Sequence, residues 1–169
     1  LALMAEVGEF PRLRTRIGLN SGTVVAGNMG SSQRFDYTVM GDVVNLGSRL
    51  EGANKLYGSN ILVSEATRKL AGEGFLFREL DNIRVKGRQE SVRVFELRGM
   101  AAAAVGEEQD RIGAFARGLE LFRARRLDEA EQVFLGLGDT PARLYLERIA
   151  LLRENPDAFA GDVFSLTSK

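Results

Sequence analysis

Residues 34–50, RFDYTVMGDVVNLGSRL, constrain the fold more than any other stretch. In the first half Phe35, Tyr37 and Val39 are β-favouring and alternate with Asp36, Thr38 and Met40, the pattern of a strand. Gly41 ends it. Asp42 is placed to cap a helix, because its carboxylate can accept from amides two or three residues on. From Val43 the period becomes helical: Val43, Leu46, Leu50, Ala53 and Tyr57 recur at three- and four-residue steps. Asn45 and Arg49 are i and i+4 on that helix, so they project from one face, off the apolar stripe. A strand thus runs through a glycine turn into a helix that presents an amide beside a guanidinium. The pair suits a ribose oxygen and a phosphate, since the amide donates and accepts and the guanidinium keeps its charge and fixed donors. Taken alone, it fits an ordinary helix surface better.

The residue inventory narrows the chemistry. Cysteine and histidine are both absent. That removes disulfides, a thiolate nucleophile, a cysteine-type zinc site and the usual imidazole base. Carboxylates, Lys, Arg, hydroxyls and amides remain. Phosphate chemistry driven by positioning and charge stabilisation needs no more than these. Basic and acidic residues balance at 23 each, which gives no electrostatic reason to bind nucleic acid or an anionic membrane. No apolar run approaches the length of a membrane-spanning helix.

Around the central stretch, residues 13–20 read as a strand that ends at the turn pair Ser21-Gly22. Residues 23–26 continue it, and the glycines of 27–30 are read as turn formers. Their spacing lacks the Gly-Lys-Ser/Thr ending of a phosphate loop. Residues 61–63 read as a short buried strand. Ser64 caps a helix to about residue 70, with Glu65 and Lys69 paired at i,i+4. Residues 75–80, 83–85 and 92–97 are strand-like, with a turn at Lys86-Gly87-Arg88. Such a mixture indicates a sheet with helices on one face. Residues 98–108, rich in alanine, have no apolar period and read as a linker. Beyond it the pattern is helical throughout. Phe115, Leu119 and Phe122 mark one helix; Asp128 caps a second that holds Ala130, Val133 and Phe134; Thr140-Pro141 starts a third, with Leu144, Tyr145, Ile149 and Leu152 inward. Gly118, Ala130 and Phe134 occupy the small and aromatic positions of a tetratricopeptide-type repeat. A helical hairpin packed on the preceding domain or a neighbour, and a peptide-binding repeat, both remain open. The tail from residue 155 is expected to fray.

The string YTVMGDVVNLGSRLE resembles the signature of class III nucleotidyl cyclases, the adenylate and guanylate cyclase family. The upstream RIGLNSGTVVAGNMG and the downstream Val85-Lys86-Gly87 match that family in order and spacing, so the resemblance covers about residues 1–98. It implies an α+β fold: a ferredoxin-like, palm-type cyclase domain over 1–98, then a linker at 99–109, a helical tetratricopeptide-like segment at 110–155 and a tail at 156–169. It implies an adenylate cyclase that converts ATP to 3′,5′-cyclic AMP and pyrophosphate in intracellular signalling. The family uses a pair of Mg²⁺ or Mn²⁺ ions held by aspartates. The elements that carry them have no counterpart here, so the domain is expected to be N-terminally truncated, without metal ligands of its own and inactive alone. Residues 1–9 read as the end of a helix, consistent with a start in mid-domain. By the resemblance Asn45 orients the ribose and Arg49 stabilises charge on the α-phosphate in the transition state. Lys86 binds the β- and γ-phosphates, and Thr38 reads the purine, its hydroxyl suited to accept from an adenine amine. The expected partners are ATP and a second copy in a head-to-tail homodimer with sites at the interface, and a protein for the helical segment. No nucleic acid and no membrane contact is expected. The location is cytoplasmic, with a membrane-anchored parent compatible. The alternative is a non-catalytic cyclase-homology module for dimerisation or partner binding. The presence of Asn45, Arg49 and Lys86 together argues against it.

Overall fold

β-favouring runs separated by glycine and polar turns become the strands of one five-stranded sheet and one separate ribbon. The structure, a computed structural model, describes residues 15–31, 34–85, 90–103, 106–158 and 163–166. The expected helix end at 1–9 and the turn at 86–88 lie outside the described residues. In the sheet β1 (Ile17–Leu19) pairs in parallel with β4 (Ile61–Ser64), and β4 pairs antiparallel with β6 (Val92–Met100). β6 pairs antiparallel with β5 (Phe75–Val85), and β5 pairs in parallel with β7 (Val163–Leu166). The ribbon joins β2 (Val25–Ser31) to β3 (Arg34–Met40), with Val25 opposite Met40 and Gly27 opposite Thr38. The helices are α1 (Asp42–Tyr57), α2 (Glu65–Ala71), α3 (Gly106–Arg123), α4 (Leu127–Leu137) and α5 (Thr140–Glu154). The fold is mixed α+β.

Several local expectations are corrected. Gly27 and Gly30 are strand residues rather than turn formers, because the β-favouring partner strand β3 supplies the ladder. Gly41, not Asp42, is the N-cap of α1; its φ of 138° is a conformation that glycine adopts and other residues avoid. No side chain caps that helix among the described residues. Likewise Arg126 stands at the N-cap of α4, and Asp128 lies within its first turn. Residues 75–85 form one strand rather than two. The stretch expected as a linker holds the end of β6, a short 3₁₀ turn at Ala101–Ala103 and the first residues of α3. The chain beyond residue 155 does not simply fray: Val163–Leu166 satisfies the outer edge of β5. Ser64 does cap α2, accepting from the Thr67 amide at 3.3 Å, and Asp139 caps α5, accepting from the Ala142 amide at 3.1 Å.

α1 lies directly on β1. A Cβ at Gly18 would stand 2.1 Å from the Gly47 carbonyl oxygen and 2.3 Å from the Glu51 nitrogen, so strand and helix backbones touch. The reverse position is relaxed, since a Cβ at Gly47 would meet nothing nearer than 3.8 Å. Gly18→Ala is therefore expected to force α1 off the strand and cost roughly 1–3 kcal/mol or more by overpacking. Gly47→Ala should be neutral or gain up to about 1 kcal/mol of helix propensity. Urea midpoints of the two variants test this, and equal stability of both would refute the packing argument.

One hydrophobic cluster spans both halves of the chain. Leu46, Leu50 and Tyr57 of α1 and Leu62, Leu80, Ile83 and Val94 of the sheet share it with Phe115, Leu119 and Phe122 of α3 and with Tyr145, Ile149 and Leu152 of α5. Each fully buried side chain of this kind contributes about 1.5–3 kcal/mol. Gly118 lets α3 and α4 close up, for a Cβ there would lie 2.7 Å from the Phe134 ring. Helices α3 and α5 therefore share one core with the sheet.

Buried charge fastens the same contact. The β5–β6 register shifts between Glu79 and Asp81, and both Leu80 and Asp81 are buried. Asp81 accepts from the Tyr57 hydroxyl at 2.7 Å and from Arg148 of α5 at 2.6 Å. It also accepts from the Asn82 amide at 2.8 Å, and the Tyr145 hydroxyl lies 3.1 Å away. Burial first, and then the Asp81 carboxylate, hold both phenols well above their usual range, so they remain donors. Arg78 reaches Glu96 at 2.6 Å and also pairs with Asp139 at the start of α5.

Candidate active site

Asn45 and Arg49 stand one helical turn apart on the exposed face of α1. The opposite face buries Leu46, Leu50, Ala53, Asn54 and Tyr57. Neither Asn45 nor Arg49 has a side-chain hydrogen bond or ion pair among the described residues, whereas Arg16 reaches Glu51 at 3.4 Å on the same helix. Thr38 is exposed on β3, three residues before the Gly41 turn that leads into α1. The three residues thus share one strand–turn–helix unit. Lys86 lies outside the described residues; the preceding Val85 ends β5, which is separated from β4 by β6.

The backbone of that unit is held from behind. The Val44 and Asn45 amides donate to the Gly41 carbonyl at 3.1 and 3.2 Å, which closes the first turn. The Asn20 side chain, just past β1, donates to the Val43 carbonyl at 2.9 Å. At the far end the Asn54 side chain donates to the Ile17 carbonyl at 3.0 Å and is itself fastened by Ser59 at 2.8 Å. α1 is tied to β1 at both ends and pressed on it in the middle. Sequence reasoning did not single out Asn20 or Asn54; neither breaks a pattern, and only the topology reveals what each reaches. Arg148 could have been found. It falls on the face shared by Tyr145, Ile149 and Leu152, where a buried cation requires a partner.

Among the described residues no three His, Cys, Asp or Glu side chains come together as a metal site requires. The described residues thus do not fit the pair of ions that the family resemblance implies, and no chemical step is assigned to a metal in this chain. What the exposed pair can do is bind. A neutral amide beside a permanent fork of donors can orient a hydroxyl and stabilise charge on a phosphoryl oxygen. No helix among the described residues is long and apolar enough to cross a membrane.

Comparison with known proteins gives the same direction. Adenylate cyclase 1 of Rhizobium meliloti (strain 1021) is 42% identical over 94 residues, 56% of this chain and 14% of that protein. The adenylate cyclase of Anabaena cylindrica is 44% identical over 92 residues, 53% of this chain and 18% of that protein. The chain therefore spans less than a fifth of either relative. Among solved structures, the adenylyl cyclase CyaB from P. aeruginosa overlaps 48% of this chain and 41% of its own, with 36% identity and a TM-score of 0.43. The profile of the adenylate and guanylate cyclase catalytic domain matches residues 3–99, more than half of the sequence and the whole of the strand–turn–helix unit. By that match the chain belongs to the adenylate and guanylate cyclase catalytic domain family, the class III nucleotidyl cyclases.

Proposed function

We propose that this chain supplies the ribose- and phosphate-facing side of an adenylate cyclase active site, converting ATP to 3′,5′-cyclic AMP and pyrophosphate. The observation that carries the reading is the exposed Asn45–Arg49 pair, with no partner among the described residues, on a helix whose other face is committed to the core. Asn45 orients the ribose so that its 3′-oxygen faces the α-phosphate. Arg49 meets the charge that grows on that phosphate as the new bond forms and pyrophosphate leaves. Lys86 holds the β- and γ-phosphates. Thr38 accepts from the adenine amine, and the names of the two relatives, both adenylate cyclases, support ATP as the substrate of this chain's site. Divalent ions bound by carboxylates outside the described residues would neutralise the triphosphate.

The same reading includes a second copy. The β2–β3 ribbon exposes Val25, Tyr37, Val39 and Met40, at 67, 75, 45 and 50%. An apolar surface of that kind is suited to a homodimer interface. ATP is a cytoplasmic metabolite, which supports a cytoplasmic location for the reaction. Two assays test the proposal. Protein that carries this chain together with metal-binding carboxylates should form cyclic AMP from ATP faster than cyclic GMP from GTP. The chain alone, given ATP and Mn²⁺, should form neither above a blank. Preference for GTP would overturn the substrate. No product from the larger protein would favour the non-catalytic dimerisation module, and product from the chain alone would refute the need for outside carboxylates.

A further inference from the structure

The helix that carries Asn45 and Arg49 starts at a glycine with no side-chain cap among the described residues, so its first turn lacks the usual side-chain anchor. Yet Asn45 sits in that first turn, and Arg49 follows one turn on. The Asn20 side chain reaches the first turn from the end of β1, 2.9 Å from the Val43 carbonyl. A carbonyl only accepts, so the atom facing it is the amide nitrogen. The other end of the same side chain, Oδ1, accepts from the Ser64 hydroxyl at 2.6 Å. Ser64 Oγ in turn accepts from the Thr67 amide, so its own hydrogen is free to be given to Asn20. Both ends of the Asn20 amide are therefore fixed, and its position is referred to the β4–α2 junction in the sheet.

From this we infer that Asn20 is a positioning residue for the Asn45–Arg49 pair, holding the first turn of α1 in register with the sheet through the Val43 carbonyl. The inference rests on the reading of that pair as nucleotide-facing. A side chain of different length at this point would let the first turn move on the Gly18 contact, and a shift of about 1 Å at a reacting centre can cost roughly a hundredfold in rate.

Asn20→Asp is the sharpest test. It keeps the size and the Ser64 acceptor but sets an oxygen against the Val43 carbonyl. Three readouts in the full catalytic protein separate the outcomes. Steady-state kinetics should show kcat down about tenfold to a hundredfold with KM within about twofold, the signature of a misplaced transition-state contact. Amide exchange should quicken at Gly47, whose N–H shares the Val43 carbonyl in a helix, and stay unchanged near Tyr57. In the Asn20→Asp, Arg49→Ala double variant kcat should fall by less than the product of the two single losses, because both changes act in part on the Arg49 contact. Unchanged kcat with unchanged Gly47 exchange would overturn the inference. So would fully multiplicative losses, or faster exchange across the whole helix, either of which marks a general loss of stability. An inactive wild type would sink the nucleotide reading instead, and Gly47 exchange would still decide whether the tether exists.

Discussion

Arg49→Ala in the catalytically complete protein is expected to lower kcat about 10²–10³-fold, or about 3–4 kcal/mol, while KM for ATP changes little. Arg49 is exposed on α1 and off the face that buries Leu46 and Leu50, so its removal should leave the core intact. No neighbouring carboxylate occupies it among the described residues, which leaves its donors available to a ligand. In its proposed role it meets charge that grows at the transferring phosphate, and an interaction made mainly in the transition state shows in kcat. Arg49→Lys should recover little, because a point charge does not reproduce a planar fork. Lys86→Ala should act mainly on KM, since in its proposed role it would meet the β- and γ-phosphates before reaction. Kinetics with a thermal melt of each variant decide it. A rise in KM alone, or a lost fold, for Arg49→Ala would make it a binding or structural residue.

The second large effect is on stability. Asp81→Asn should cost about 3–5 kcal/mol, a large share of the 5–15 kcal/mol by which a typical domain is stable. It removes the charge that faces Arg148 and leaves a guanidinium 5% exposed, with one nitrogen, Nε, already lacking an acceptor. Arg148→Met should cost less. Asp81 would keep the Tyr57 hydroxyl, the Asn82 amide and the nearby Tyr145 hydroxyl as donors, whereas Arg148 pairs with no second carboxylate among the described residues. Combining the two substitutions should recover much of the loss, because neither charge is then left buried without its partner. Urea unfolding of the three variants gives the order directly. Asp81→Asn within about 1 kcal/mol of wild type, or a loss smaller than that of Arg148→Met, would show that water reaches the pair.

How far the sequence could be read depended on whether the deciding contact was local. The strand over 34–40 and the helix from 42 to 57 were legible, because alternation and three-to-four periodicity are local records of what each face buries. The placement of Asn45 and Arg49 off the apolar stripe followed from the same arithmetic. The turn reading of 27–30 failed because a glycine's own preference was overridden by its partner strand. Asp42 has the chemistry of a cap, yet the cap falls one residue earlier, where Gly41 readily takes the backbone angle. The bulge that buries both Leu80 and Asp81 breaks alternation and made one strand look like two. Asn20, Asn54 and the tail strand answer to partners dozens of residues away, and no window of local pattern contains them.

The recognised family segment ends at residue 99, but the core does not; it runs on through Leu152. The segment that the family profile matches and the unit of folding therefore have different edges in this molecule. A gene fusion that spliced the cyclase segment elsewhere at that edge would bare Leu80 and Ile83 to water and strip Asp81 and Arg78 of their partners on and beside α5. Such a graft would carry Asn45 and Arg49 and lose the packing and ion pairs that this core supplies. The helices beyond residue 105 and the cyclase segment thus answer for one core between them.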